Sequence, residues 1–352
     1  RLVTHTDFVT HLTMRMNKIF LFALILLVAA CGAADKEEVT IYTHRHYDVD
    51  QQIFDDFEEE TGIHVNVVKA GADELIERLV SEGDQSPADL LMTVDAGRLV
   101  RAADANLLQP IESETVSSTI PDKLRSADNS WVGLTKRARI IVYHPDRVNP
   151  EELSSYEGLA DSIWNGRVLI RSSSSIYNQS LMASVIANLG EDAARQWAAG
   201  VVENFARNPS GNDRDQVKAI LAGEGDLAVI NTYYLGLLLN SADSQEAQAG
   251  EAVQIFWPNQ EDRGAHINVS GVGLTANSPN AENAIALIEY MISQEVQELY
   301  ASANYEYPAN PNAEVSDQLK SWGEFKEDEL PLARLGELND EAVIIFDEVG
   351  WP

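Results

Sequence analysis

Four tyrosines recur at places where a soluble protein seldom has them. Tyr47 ends a His-Arg-His-Tyr run, Tyr177 comes two residues after a row of four serines, and Tyr233 and Tyr234 are adjacent. Phenolate oxygens are hard, anionic donors, so several of them meeting at one point would suit a hard, highly charged cation such as ferric iron. The four tyrosines therefore predict a protein that captures a metal ion.

Proton chemistry narrows which cations such a site would hold. A free tyrosine has a pKa of about 10, so a phenol is a poor ligand at neutral pH unless the cation displaces its proton. A trivalent ion does this far more strongly than a divalent one, and binding should release protons. Three phenolates would balance the charge of ferric iron, and a fourth would leave a negative charge that needs a cationic neighbour.

The adjacent pair Tyr233 and Tyr234 constrains the backbone. Consecutive side chains diverge by about 100° in a helix and point to opposite faces of a strand, so both reach one ion only where the chain turns. We expect this turn at the end of a strand over 226–230, since ligands of open α/β sheets bind at the carboxyl ends of strands. The alternative places one ring in the core and the other at the surface.

Strand-like and helical patterns alternate along the chain, which predicts an α/β sheet covered by helices on both faces. Ile53, Phe54 and Phe57, for example, fall on one face of a helix that Gly62 ends. The predicted strands are 39–43, 63–68, 88–94, 131–143, 167–170, 226–230 and 265–275, and the predicted helices are 51–61, 72–82, 178–189, 191–202, 214–222 and 281–300.

Length and charge limit the class of protein. The chain has 352 residues, more than one core usually organises, so two domains are expected. Its net charge of −31 excludes nucleic acid as a partner, because such a surface repels polyanions. Most of these carboxylates are expected to be a solvated surface that keeps the protein soluble in salt, since a diffuse negative field does not select among cations.

The first 31 residues read as an export signal. Basic Arg15 and Lys18 precede the apolar stretch 19–30, which is too short to span a bilayer. The run Val-Ala-Ala-Cys-Gly at 28–32 resembles a bacterial lipoprotein box, in which cleavage precedes a cysteine that carries lipid. Cys31 is the only cysteine in the chain. We therefore expect a signal peptide over 1–31, a lipidated Cys31, and a mature protein in the periplasm on a membrane anchor.

Five motifs occur in order along the chain: Tyr-Thr-His-Arg-His-Tyr at 42–47, Leu-Thr-Lys-Arg-Ala-Arg at 134–139, Ser-Ser-Ile-Tyr-Asn-Gln-Ser at 174–180, Gly-Asn-Asp-Arg-Asp at 211–215 and Ala-Val-Ile-Asn-Thr-Tyr-Tyr-Leu-Gly at 228–236. Together they resemble the substrate-binding proteins of bacterial ABC importers, and among these the ferric-iron-binding group. The resemblance covers nearly the whole chain after the signal segment.

The resemblance implies a two-lobed periplasmic-binding-protein fold of type II, with the ligand in the cleft between the lobes. Residues 37–134 with 263–305 would form lobe one, and residues 135–262 with 306–352 would form lobe two. Extended segments around Leu134 and Gly271 are the candidate crossovers.

The resemblance also implies a ligand set. Tyr47 would come from one lobe and Tyr177, Tyr233 and Tyr234 from the other, with iron holding the lobes closed. Arg137 stands where the family places the cationic neighbour. The further candidates are Arg45 as a second cationic neighbour, His46 as either a ligand or an outer hydrogen-bond donor, His44 as an exposed imidazole, and Asp48 and Asp50 as loop or helix-cap residues.

The resemblance gives a function in iron transport. The cargo would be Fe3+, with Fe2+ as an alternative and with a synergistic anion as a further component, and a monomer would deliver it to an ABC importer permease. A polyamine, sugar or oxyanion binder of the same fold remains as an alternative, in which cleft aromatics would stack on the ligand. An exported enzyme is not favoured, because the chain lacks a Gly-x-Ser-x-Gly elbow, a His-Glu-x-x-His motif and a cysteine nucleophile.

Overall fold

A computed structural model describes residues 37–352, which form a mixed α/β fold. The predicted signal segment 1–31, with Cys31, lies outside the described residues. The strands are β1 (Glu38–Thr43), β2 (His64–Lys69), β3 (Leu90–Thr93), β4 (Leu108–Gln109), β5 (Trp131–Tyr143), β6 (Val168–Leu169), β7 (Leu227–Asn231), β8 (Gln254–Phe256), β9 (Ile267–Thr275) and β10 (Tyr307–Pro308).

Helices pack against the sheet and carry three of the four tyrosines, Tyr177, Tyr233 and Tyr234. They are α1 (Asp48–Thr61), α2 (Ala72–Glu82), α3 (Ala96–Asp104), α4 (Glu114–Thr119), α5 (Ile176–Leu189), α6 (Glu191–Glu203), α7 (Asp213–Ala222), α8 (Thr232–Leu239), α9 (Ser244–Glu251), α10 (Ala281–Met291), α11 (Gln294–Ala303), α12 (Asp317–Ser321), α13 (Ala333–Glu337) and α14 (Asn339–Glu348). Among residues 37–352, no helix is both long and apolar enough to cross a bilayer.

The long strand β5 links two groups of strands. Its first part, Trp131 to Ala138, pairs antiparallel with β9, which also pairs with β3 and β4. Its last part, Arg139 to Tyr143, pairs antiparallel with β7, and residues 141–143 also pair with β8. The order along the sheet is β2-β1-β3-β9-β5-β7-β6. One buried strand therefore carries the chain from one half of the sheet to the other.

The sequence patterns predict most of these elements. The bounds of β5 and α2 are confirmed at both ends, and α1 ends as predicted, with Gly62 in the left-handed conformation at φ 76°. The single helix predicted over 281–300 is wrong, since two helices, α10 and α11, occupy this region. Ser293 separates them because its side chain accepts a hydrogen bond from the backbone N–H of Val296 and so starts α11.

The tyrosine pair is also placed differently from the prediction. Strand β7 ends at Asn231 and α8 begins at Thr232, so Tyr233 and Tyr234 lie in the first turn of a helix and not at a strand end. The chain does change direction near the pair, as predicted, but it does so between Asn231 and Thr232, before Tyr233. The patterns also do not predict the helices α3, α4, α8, α9 and the three C-terminal ones, or the strands β4, β8 and β10, each of which has ten residues or fewer.

Candidate metal centre

The four tyrosines stand at the N-termini of three helices. Tyr47 is the residue that precedes α1, Tyr177 is the second residue of α5, and Tyr233 and Tyr234 are the second and third residues of α8. Unpaired backbone N–H groups give a helix N-terminus a partial positive charge, which stabilises anions there. The backbone of each tyrosine therefore lies at the end of a helix that favours negative charge.

The four rings form one buried cluster. The ring centres of Tyr47 and Tyr233 are 5.7 Å apart in an edge-on contact, and those of Tyr233 and Tyr234 are 4.2 Å apart. The hydroxyl oxygens of Tyr177 and Tyr233 are 3.1 Å apart, which is hydrogen-bond distance. None of the four residues is more than 8% exposed. Side chains from distant parts of the sequence thus meet at one point.

Burial favours the protonated form of Tyr47, Tyr233 and Tyr234 in the absence of a cation. It raises the pKa of Tyr47 and of Tyr233 well above the usual value, and neighbouring groups add to the shift, with Glu306 and Tyr177 acting on Tyr47 and the other tyrosines on Tyr233. Burial likewise raises the pKa of Tyr234. The Tyr47 hydroxyl is enclosed and has no hydrogen-bond partner within residues 37–352. Leaving a buried hydrogen-bond donor without a partner costs free energy, which indicates that this oxygen is placed to bind a ligand.

Two arginines predicted to neighbour the site have different charge environments. Arg45 lies over the Tyr47 ring at 4.6 Å, but its charge is offset by Asp50 at 3.0 Å and Glu306 at 3.6 Å. Arg137 lies 5.6 Å from the centre of the Tyr177 ring and is 1% exposed. Within the described part of the chain it has no ion-pair partner, and its Nε and Nη2 atoms have no hydrogen-bond acceptor. Arg137 is therefore the buried cation free to balance a phenolate.

The histidines and aspartates near Tyr47 have separate positions. His46 is exposed, with its ring centre 5.0 Å from that of Tyr47. The prediction that His44 is exposed is wrong, because its side chain is half-buried and its Nδ1 is enclosed without a partner among the described residues. Asp48 is exposed at the start of α1. The prediction of Asp50 as a loop or cap residue is also wrong, since it is buried in the first turn of α1 as the partner of Arg45.

Two adjoining clefts open beside the cluster. One of about 360 Å³ is lined by residues that include His46, Tyr47, Tyr233 and Tyr234. The other, of about 540 Å³, is lined by residues that include Tyr177, Tyr234, Arg171 and Arg214. The clefts share His46, Arg214 and Tyr234, so a molecule in either one would contact the edge of the tyrosine cluster.

Three charged residues near the site were not predicted. Arg139 lies 6.0 Å from the Tyr177 ring centre, Arg171 lies 5.3 Å from it, and Glu306 is fully buried near Arg45. The sequence held a signal for Arg139, because Arg137 and Arg139 are two residues apart on β5 and so lie on the same face of the strand. Arg171 and Glu306 carry no comparable signal, because loops bring them to the site.

Other metal-binding chemistry does not compete with the tyrosines. In the described range 37–352, no group of three or more histidine, cysteine, aspartate or glutamate side chains could hold a metal ion. Divalent zinc and calcium sites depend on such side chains. The phenol oxygens are the metal donors that this centre offers, and they suit a small, highly charged cation. The nearby arginines and helix N-termini are positive and would stabilise the phenolate form of the tyrosines.

Comparisons with known proteins agree with this architecture. The profile of the bacterial extracellular solute-binding proteins matches residues 52–327. "Iron uptake protein A1" of Synechocystis is 46% identical over 335 residues, which are 92% of this chain and 93% of that protein. A Trichodesmium protein solved in complex with iron and citrate ligands is 47% identical, with a TM-score of 0.85 over 90% of this chain and 100% of the other.

A third relative supports the same fold. The ferric binding protein from Campylobacter jejuni is 43% identical, with a TM-score of 0.86 over 89% of this chain and 100% of the other. Residues 37–352 share the two-lobed α/β architecture of these structures. Because the family profile covers more than half of the chain and the relatives match nearly all of it, this chain belongs to the bacterial extracellular solute-binding proteins.

Proposed function

We propose that this protein captures ferric iron in the periplasm with tyrosinate ligands and delivers it to an ABC importer. Relatives that match nearly the whole chain are named for iron uptake or ferric iron binding, and one of them was solved with iron. The observation that carries the proposal is the meeting of four buried tyrosines, with the hydroxyls of Tyr177 and Tyr233 3.1 Å apart.

The ligand set of this proposal is Tyr47, Tyr177, Tyr233 and Tyr234. Four phenolates around Fe3+ carry one excess negative charge, and Arg137 supplies one buried positive charge without a carboxylate partner in the described residues. The surroundings therefore favour ferric over ferrous iron, because a ferrous centre with the same ligands would carry two excess negative charges, of which Arg137 balances only one.

Further donors are available at the mouth of the site. We propose that His46 or an anion completes the coordination of iron, since His46 lies at the junction of both clefts. Arg171 and Arg214 line the larger cleft and would attract a carboxylate-bearing anion there. The Trichodesmium relative, solved with both iron and citrate, supports an anion of this class.

The proposed lobes are residues 37–134 with 263–305, and residues 135–262 with 306–352. The strand pairing supports two groups, with β1, β3 and β4 on the β9 side and β6, β7 and β8 on the side of the last part of β5. Tyr47 would belong to lobe one and the other three tyrosines to lobe two. The contact between Tyr47 and Tyr233 then corresponds to a closed arrangement, in which iron would hold the lobes together.

Location and partners follow from the same proposal. The protein would be exported by the signal segment 1–31, anchored through lipid on Cys31, and active as a monomer that docks on an importer permease. It would bind and release its cargo without chemical turnover.

The proposal is tested by adding ferric iron to the purified protein and recording visible absorption together with metal analysis. Ferric phenolate absorbs visible light, whereas a complex with a polyamine, sugar or oxyanion would be colourless. We expect a coloured complex with one iron per chain that excess polyamine or sugar does not displace. A colourless protein that retains an organic ligand would instead support the alternative function.

A further inference from the structure

Two of the three helices that meet at the tyrosine cluster, α5 and α8, start beside one buried ion pair. Arg139 of β5 donates from Nη1 to Oδ2 of Asp213, the first residue of α7, at 2.8 Å. The side chains of the two residues are 2% and 0% exposed. Because the charges of this pair cancel, its contribution to the site is not simply electrostatic.

Arg139 reaches the helix that carries Tyr177. Its second terminal nitrogen, Nη2, donates to the side-chain oxygen of Asn178 at 3.0 Å. Asn178 in turn donates to the backbone oxygens of Arg171 and Ser172, at 2.6 and 3.2 Å, and so fixes the loop that enters α5. The guanidinium therefore holds the start of α5, the helix that carries Tyr177.

Asp213 reaches the helix that carries the tyrosine pair. The same Oδ2 that accepts from Arg139 also accepts from the backbone N–H of Asn231, at 2.7 Å. Asn231 is the residue that precedes α8, two positions before Tyr233. It is also the partner of Arg139 in the β5–β7 register. One carboxylate oxygen thus ties the start of α8 to the guanidinium that holds α5.

We propose that the Arg139–Asp213 pair is a positioning unit that holds Tyr177 and Tyr233 at the spacing a metal requires before iron arrives. The inference rests on the proposed function and assigns these two residues a part in it. The planar guanidinium presents several donors in fixed directions, so it can hold Asp213 and Asn178 at once. A metal site depends on such support, because ligands displaced by a fraction of an ångström bind more weakly.

Geometry and charge are separated by Arg139→Lys, which keeps the positive charge but replaces the rigid fork with one flexible ammonium group. Asn178→Ala is a milder variant, since it removes the link to α5 and leaves the ion pair in place. Arg167→Lys is the matched control, because Arg167 also forms an ion pair with an aspartate. Its Nε lies 2.7 Å from Asp226, and the pair is separate from the tyrosine cluster. Each variant is made in the full mature chain.

The variants and the parent are loaded with ferric iron, and the visible charge-transfer band and the affinity against a competing chelator are measured. We expect both Arg139→Lys and Asn178→Ala to shift the band and to weaken iron binding by about 10- to 100-fold. Arg167→Lys should lower the melting temperature at most, with the band and the affinity of the parent.

A parent-like band and affinity in Arg139→Lys would overturn the inference, even if that variant melts at a lower temperature, because the charge alone would then suffice. If Arg139→Lys does not fold, Asn178→Ala decides the matter by the same two readouts. A parent protein that gives no coloured complex would contradict the proposed function itself, which is a different outcome from parent-like variants of a coloured protein.

Discussion

The hydroxyl oxygens of Tyr177 and Tyr233 lie 3.1 Å apart, and the Tyr233 side chain is fully buried. Two oxygens that bind side by side to a hard cation with bonds of roughly 2.0–2.1 Å lie about 3 Å apart in octahedral geometry. The spacing that a metal would impose is therefore already present in the folded chain. Without a cation, the two phenols share a hydrogen bond, which requires at least one of them to keep its proton.

Removing one phenol oxygen should weaken iron binding without unfolding the protein. We expect Tyr177→Phe, Tyr233→Phe and Tyr234→Phe each to reduce ferric affinity by at least about 100-fold, because each loses one anionic donor and no ring packing. Chelator competition measures the affinity. Tyr143→Phe is the matched control, since Tyr143 is buried and its hydroxyl donates to Gln254 in the sheet. Parent-like iron binding by Tyr233→Phe would show that Tyr233 is not a ligand.

Iron binding should release protons, and ferric affinity should rise with pH. Burial raises the pKa of Tyr47, Tyr233 and Tyr234, so these phenols are protonated near neutral pH and must lose their protons to bind. Calorimetry in two buffers of different ionisation enthalpy counts the released protons. We expect roughly one proton for each phenolate formed, and about one fewer in Tyr177→Phe. Binding that releases no protons would exclude phenolate ligation.

The unpaired charge of Arg137 should set the reduction potential of bound iron. A unit charge at roughly 6 Å, with an effective dielectric constant of about 20, contributes about 2–3 kcal/mol, or on the order of 100 mV for one electron. Arg137→Gln removes a cation near the metal, so the potential should fall by an amount of this order. Redox titration of the iron-loaded protein measures it. Arg137→Lys keeps the charge and should stay near the parent, and equal potentials in Gln and parent proteins would contradict the assigned role.

His266 should make the metal-free protein sensitive to acid. Burial, with Arg139, Arg137 and Arg263 nearby, lowers the pKa of His266 to about 3. Between about pH 6.5 and 3, His266 is protonated in the unfolded chain and neutral in the folded chain. Its contribution therefore lowers the unfolding free energy by about 1.4 kcal/mol for each pH unit below 6.5.

Denaturant unfolding at several pH values tests the effect of His266. His266→Asn should flatten the acid side of the stability profile relative to the parent. His64→Asn is the control, because His64 lies near the surface beside Glu58. If the unfolding free energy falls equally steeply with decreasing pH in the parent and in His266→Asn, the acid sensitivity comes from other groups.

The sequence predicted the tyrosines as metal donors, but it did not predict all of the residues that surround them. A hard cation needs hard anionic donors, so the residue types at Tyr47, Tyr177 and the adjacent pair suggested their chemistry directly. Their surroundings depend on contacts between remote segments. Arg139 meets Asp213, and Arg45 meets Glu306, across 74 and more than two hundred positions of sequence.

Local signals explain which elements were predicted correctly. The long strand β5 has a continuous β-rich pattern, and α1 and α2 have clear apolar faces, so their period identifies them. The break between α10 and α11 depends on Ser293, a single capping serine inside a long apolar pattern. The start of α8 depends on Asn231, whose backbone N–H binds the distant Asp213, and no local pattern contains that contact.

Resonance Raman spectroscopy of the iron-loaded protein, excited within its visible band, tests the central claim most directly. Ring vibrations of tyrosine gain intensity only when a phenolate oxygen is bonded to the ferric ion. The proposed ligand set predicts strong tyrosinate modes that weaken in Tyr177→Phe and Tyr233→Phe and remain unchanged in Tyr143→Phe. A stable iron complex that shows no tyrosinate modes would contradict the account.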